Sequence, residues 1–177
     1  MATGCKPAIR RKKSRVRIQK GREVRRRVGF VFTDPDNQIV MPTVAEDVAF
    51  SLRRSGLPKK EIPERVTTAL RRFGLDGHAD HPTHLLSGGQ KQLLALAAVL
   101  ITEPDVVVAD EPTTLLDLRN ARMVNDLLAG LSQQVILVTH HLHLLDGFDR
   151  VVVLEDGRLV ADDTPGAALD TYTGLLT

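Results

Sequence analysis

Three short stretches of this chain carry residue types able to handle a phosphate. The first, Ser87-Gly88-Gly89-Gln90, stands between the polar loop 76–86 and an apolar run reaching Ile101. Its serine offers a hydroxyl, and its glycines let another group approach the backbone without meeting a Cβ. A helix starting near Gln90 would aim free N–H groups and its positive dipole end at the same spot. The second, Asp110-Glu111, closes the apolar run "DVVVAD" (105–110). Open α/β sheets gather ligands at the carboxyl ends of their strands. An aspartate there can hold Mg2+ through water, and a glutamate beside it can accept a proton from attacking water. The third, His140, follows "QVILVT" (134–139) and could contact a phosphate or orient the water. Each also has a plainer reading, in turn a serine N-cap with glycine turns, a strand ending in solvated acids, and a loop histidine.

The elements that must position these residues alternate along the chain. "VGFVF" (28–32), "DVVVAD" and "QVILVT" read as buried strands, apolar on both faces. Thr43 and Glu46 form a capping box for a helix over 44–54. A second helix runs over about 60–73, with Ile62, Val66, Leu70 and Phe73 on one stripe, Pro63 in its first turn and Gly74 as its stop. Helices over 90–101 and 121–131 follow, and "RVVVLEDGRLVADD" is a hairpin whose Asp156-Gly157 turn fits type I′. A short helix or tail ends the sequence. Buried strands alternating with helices give an α/β fold with a largely parallel sheet.

Composition bounds the rest. The 177 residues, 42% hydrophobic, can bury one proper core. A lone Cys5 allows no internal disulfide and fits a reducing compartment. The apolar run Leu93–Ile101 is far short of a bilayer span. Net charge is +2, but residues 1–27 hold half of the 24 Lys and Arg and one of the 22 acids, so they carry +11 and the other 150 residues −9. The start is a basic arm, read as solvated and disordered, with no aromatic on which a base could stack.

In order, "LSGGQ" (86–90), "VVVADEPT" (106–113), "LLD" (115–117) and "VTHH" (138–141) resemble the signature motif, Walker B, D-loop and H-loop of ATP-binding-cassette (ABC) ATPases. "VFTDPDNQIVMPTVAEDVAFSLRRSGL" is similar to the Q-loop region of energy-coupling-factor subunits, with biotin and cobalt or nickel importers as nearest kin. The resemblance covers about residues 24–177. It implies a P-loop-NTPase-like parallel sheet with a helical signature segment at about 44–86, and ATP with Mg2+ as cofactors. It implies that Ser87, Gly88, Gly89 and Gln90 contact the γ-phosphate of ATP on the opposite subunit of a head-to-tail dimer. It further implies that Asp110 holds Mg2+, Glu111 activates water, His140 senses the γ-phosphate and Asp117 couples the two sites. By the same resemblance, Thr33, Asp34 and Gln38 would belong to the coupling loop that faces a transmembrane partner. The implied protein is a cytoplasmic ATPase subunit, bound to the inner face of the membrane through partners, driving vitamin or metal-ion uptake without touching the cargo.

Two departures qualify the picture. Thr33 stands where the family's Q-loop has glutamine, and Gln38 matches a different family position. No glycine of the 13 is followed by lysine, so the sequence holds no Walker A, G-x-x-x-x-G-K-[ST]. The expectation is a basic arm at 1–24 that is not family-like, joined to a partial ABC ATPase domain at 25–177 whose N-terminal part is missing. Losing the phosphate-loop strand and its helix would bare apolar sheet surface, and the chain would bind ATP weakly by itself. Other readings are an inactive half-module that lends its LSGGQ motif to a complete ATPase, and a nucleic-acid-associated ATPase using the arm. His78, His81 and His84, with His140, His141 and His143, could suggest zinc, but Pro82 interrupts any helix aligning the first three, and they read as loop histidines.

Overall fold

A helix that is apolar around its whole circumference wants protein on every side, and the run after Gln92 finds it. The structure, a computed structural model, describes residues 21–145 and 147–175. They fall into two units, residues 21–137 and residues 138–175. In the first, α1 (Gly21–Arg27) leads into β1 (Val28–Val31), followed by α2 (Val44–Ser51), α3 (Ile62–Arg72), α4 (Gly88–Leu100), β2 (Val106–Asp110), α5 (Leu118–Ala129) and β3 (Gln134–Val138). The strands lie in the order β1-β2-β3, and β1 runs parallel to β2 with Val28 opposite Val106 and Val31 opposite Ala109. The fold is α/β with a parallel pairing, as the alternating pattern predicts.

Helix α4 is the centre of this unit, with nine of its thirteen residues buried. Leu94, Leu96 and Ala97 share a core with Val31, Val107, Val48, Leu70, Leu75, Val124 and Leu128. Its contact with the sheet is tight enough to require a glycine. A Cβ on Gly29 would stand 2.4 Å from Val99 and 3.2 Å from Pro104.

The helical segment follows its local signals closely. Thr43 donates to the Glu46 carboxylate from both its backbone N–H and its hydroxyl, at 3.3 and 2.8 Å. The predicted helix 44–54 is α2 continued by a 3-10 turn, Leu52–Arg54. Pro63 lies in the first turn of α3. Gly74 ends that helix at φ +66°, while Leu75 N–H bonds back to the Leu70 carbonyl at 2.8 Å. Helices α4 and α5 each begin earlier than the apolar periodicity suggests, because Ser87 and Asp117 are their N-caps.

The strands correct one expectation. Phe30, Phe32 and Ile136 are 40%, 46% and 47% exposed, so "VGFVF" and "QVILVT" are not buried on both faces. Side chains alternate along a strand, and only the face carrying Val31, Val107 and Ala109 is fully buried. Phe30 and Phe32 instead rest on each other, ring centroids 4.8 Å apart. An uninterrupted apolar run does not reveal whether one or two layers cover it.

Residues 1–20 of the basic arm lie outside the described residues, and residues 21–24 belong to α1. In the second unit, β4 (Val151–Glu155) and β5 (Arg158–Asp163) form an antiparallel hairpin, and α6 (Pro165–Leu175) follows. Its turn has φ +46° at Asp156 and +73° at Gly157, the positive pair that a type I′ turn needs.

Candidate functional site

The Ser87–Gln90 loop is a capping box. The Ser87 hydroxyl accepts from Gln90 N–H at 3.3 Å, and the Gln90 carboxamide oxygen accepts from Ser87 N–H at 2.9 Å. Both ends of the loop are thereby fixed, while the Gly88 and Gly89 amides, in the first turn of α4, have no carbonyl partner within the helix. The plain N-cap reading is therefore correct for the local structure, and it leaves the anion-binding reading intact.

The two glycines differ in what they permit. A Cβ on Gly88 would meet only the Leu115 carbonyl, at an ordinary 3.9 Å. A Cβ on Gly89 would stand 2.5 Å from Asn120 Cγ and 2.6 Å from its Nδ2. Gly89 is buried and is required by packing inside the chain, whereas Gly88 lies open. Asn120 is in turn held by Asp117, whose carboxylate accepts from Asn120 N–H and from its Nδ2, both at 2.9 Å. The structure thus joins Asp117 to the signature loop through one asparagine. Asn120 was invisible to motif reading, since nothing in its spacing sets it apart.

At the end of β2, Glu111 is held in the left-handed region at φ +49°. Its carboxylate accepts from the Thr114 hydroxyl at 2.9 Å. A non-glycine residue there costs about 1–3 kcal/mol, a strain common at working sites. Thr33 fixes the preceding peptide, donating its hydroxyl to the Asp110 carbonyl at 2.8 Å. Asp110 itself is half-buried.

The loop around residues 32–38 spans from this strand end to α4. Asp34 accepts from Asp36 N–H at 3.0 Å and caps the turn Pro35–Asn37. Gln38 accepts from Phe32 N–H at 3.3 Å and donates to the Ala95 carbonyl of α4 at 3.2 Å. Lys91 pairs with Asp36 at 2.7 Å. Gln92, almost wholly buried, donates to the Phe32 carbonyl at 3.3 Å. Of the sequence reading's Thr33, Asp34 and Gln38, Thr33 reaches Asp110, and the loop they share is tied to the same helix that carries Ser87 to Gln90. Gln92 lies outside every motif; its position at the head of an apolar helical run places it in the core, where a polar side chain needs a partner.

His140 is exposed and belongs to the second unit, where its ring lies 4.2 Å from that of His141. His78 and His81 are 4.9 Å apart in edge contact, and Gln90 Nε2 is 3.0 Å from His78 Nε2. Among the described residues no group of three or more His, Cys, Asp or Glu is placed to hold a metal by itself. Mg2+ asks for less from a protein, since it keeps waters and phosphate oxygens around one or two carboxylates. Asp110, half-buried at a strand end, fits that requirement.

A parallel strand pair closed by an acidic pair, and a capped Gly-Gly helix mouth in the same unit, are features suited to handling phosphate. The sequence matches the ABC transporter family model over residues 6–114, a range that starts inside the basic arm. The chain belongs to this family. It is 53% identical over 154 residues to a provisionally named ABC transporter ATP-binding protein of Deinococcus radiodurans, covering 87% of this chain and 68% of that protein. It is 48% identical to the biotin transport ATP-binding protein BioM of Rhizobium etli, covering 82% and 65%. Against the energy-coupling factor transporter ATP-binding protein EcfA1 of Caldanaerobacter subterraneus the figures are 43%, 81% and 53%. Among solved structures, CbiO1 of Clostridium perfringens, described as part of the ABC transporter complex CbiONQ, superposes with a TM-score of 0.76 at 37% identity, covering 84% of this chain and 61% of that one. The chain thus spans roughly one half to two thirds of the length of these relatives.

Proposed function

We propose that this chain is an ATP-binding subunit of an energy-coupling-factor-type importer, in which ATP hydrolysis drives uptake of a vitamin or metal ion. The observation that carries the proposal is the α4 mouth, where the capping box fixes Ser87 and Gln90 and leaves Gly88 open to an incoming group. That mouth suits the γ-phosphate of ATP held by a second cassette subunit. The names of the biotin-transport and energy-coupling-factor relatives support the same class of cargo. Asp110 is assigned to Mg2+, Glu111 to the activation of water, His140 to the γ-phosphate and Asp117 to coupling across the dimer. Thr33, Asp34 and Gln38 are assigned to the loop facing a transmembrane coupling protein, which would bring the chain to the membrane's inner face. Among the described residues no helix is long and apolar enough to cross a membrane. Cargo would be bound by another subunit.

A second reading rests on the sequence itself. With no Walker A among the 177 residues, Asp110 and Glu111 have no lysine-bearing phosphate loop beside them in this chain. The chain then serves as a half-module, completing its partner's site with Ser87 to Gln90. Calorimetry with the purified chain separates the two readings. Absent or millimolar ATP binding is expected for the half-module, and micromolar affinity would mean a complete site within the chain.

A further inference from the structure

We infer that His78 is a positioning residue for the signature loop, holding the Gln90 carboxamide in its capping orientation through a neutral imidazole protonated on Nδ1. The inference deepens the proposed function and rests on it only for its consequence, the exposure of Ser87 to Gln90 to a partner's nucleotide.

The proton assignment follows from the bonds. Ser87 N–H can only donate, so the Gln90 atom 2.9 Å away must be its oxygen. The other carboxamide atom, the NH2, then faces His78 Nε2 at 3.0 Å in a part-buried setting. An NH2 group only donates, so Nε2 must present a lone pair, and a neutral imidazole with a bare Nε2 carries its proton on Nδ1. His78 Nδ1 is itself buried, with no hydrogen-bond partner among the described residues. The opposite tautomer would require the Gln90 carboxamide to turn over. Its NH2 would then oppose Ser87 N–H, donor against donor, and the Gln90 side-chain half of the capping box would be lost. The position of one proton on His78 and the orientation of the Gln90 carboxamide are therefore linked. His78 lies in the turn Asp76–His78, nine residues before the loop's own serine, so no signature motif includes it.

The test needs no nucleotide. A long-range nitrogen-proton correlation spectrum of the 15N-labelled chain at mildly alkaline pH, with His78 assigned by the loss of its signals in His78→Phe, should show the Nδ1–H tautomer. A Nε2–H tautomer overturns the inference. Ser87 amide exchange then follows the bond. A glutamine oxygen can occupy the place of Nε2 and an asparagine oxygen cannot, so His78→Gln should keep the original protection. His78→Asn and His78→Phe should raise exchange roughly fivefold, the loss of one ordinary hydrogen bond. Equal protection in all four proteins overturns the inference, and amides within α3 serve as the control for folding. In a complex with a complete cassette subunit, ATP turnover should fall with His78→Phe and be retained with His78→Gln. If the tautomer and the exchange order hold while turnover ignores these variants and every change at Gly88, the pairing stands and the nucleotide reading fails.

Discussion

The contact between Gly89 and Asn120 allows a sharp test of how the signature loop is built. In Gly89→Ala the new methyl would overlap Asn120, at 2.5 Å from Cγ, 2.6 Å from Nδ2 and 2.9 Å from Oδ1. Cγ is the middle of a short side chain, and two bonds to Asp117 pin the residue, so it cannot simply swing away. Overpacking of this kind costs about 1–3 kcal/mol, and losing the Nδ2 bond adds about 1 kcal/mol. Helix propensity works the other way, since alanine is favoured over glycine by about 1 kcal/mol inside a helix. The net expectation is a loss of about 1–3 kcal/mol. Asn120→Ala alone should cost about 1 kcal/mol through the lost bond to Asp117, and it removes the obstacle. In the double variant Gly89→Ala should therefore be nearly harmless, a coupling of about 1–3 kcal/mol on a double-mutant cycle. Urea unfolding of the four proteins, followed by circular dichroism, measures it. Strict additivity, or a Gly89→Ala protein as stable as the parent, would refute the reasoning.

Other outcomes follow from single bonds. Thr33→Val keeps the side-chain shape but removes the donor to the Asp110 carbonyl, which should cost about 1 kcal/mol in the same unfolding assay, and Thr33→Ser should restore it. The Asp162 carboxyl is held below the usual carboxylate range by its hydrogen bond to Arg150. That bond therefore stabilises the hairpin at neutral pH, and the contribution disappears as pH falls through the lowered value. A carbon-detected NMR titration should show Asp162 protonating at higher pH in Arg150→Gln. The Lys91–Asp36 pair, whose carboxylate is exposed, should contribute about 1 kcal/mol or less, so Asp36→Asn should barely move the unfolding midpoint.

Much of the site could be read in advance because it depends on local rules. A capping box, a glycine C-cap and a type I′ turn are written within four or five consecutive residues, and Thr43, Ser87, Gly74 and Asp156-Gly157 behave as those rules require. Layering is a different kind of information. The exposure of Phe30, Phe32 and Ile136 depends on which elements lie over the sheet, and apolar strand sequences look the same in either case. The long-range polar bonds were equally hidden. Thr33 reaches Asp110 across 77 positions, Gln92 reaches Phe32 across 60, and Asn120 meets Gly89 from a separate helix. The motifs named the groups that could face a nucleotide, whereas the residues holding those groups in place emerged only from the fold.

The central claim is that the mouth of α4 serves a phosphate held by another subunit, and Gly88→Asp tests it most directly. A carboxylate at the first helical position suits the helix dipole, and a Cβ there meets nothing closer than 3.9 Å. The chain should therefore stay as stable as before or gain slightly. In a complex with a cassette subunit bearing a complete phosphate loop, the same carboxylate would stand against the γ-phosphate. The account predicts that ATP turnover by the complex falls on the order of 10²-fold, the scale seen when one charge-stabilising donor is lost. Unchanged turnover by a stably assembled Gly88→Asp complex would contradict it.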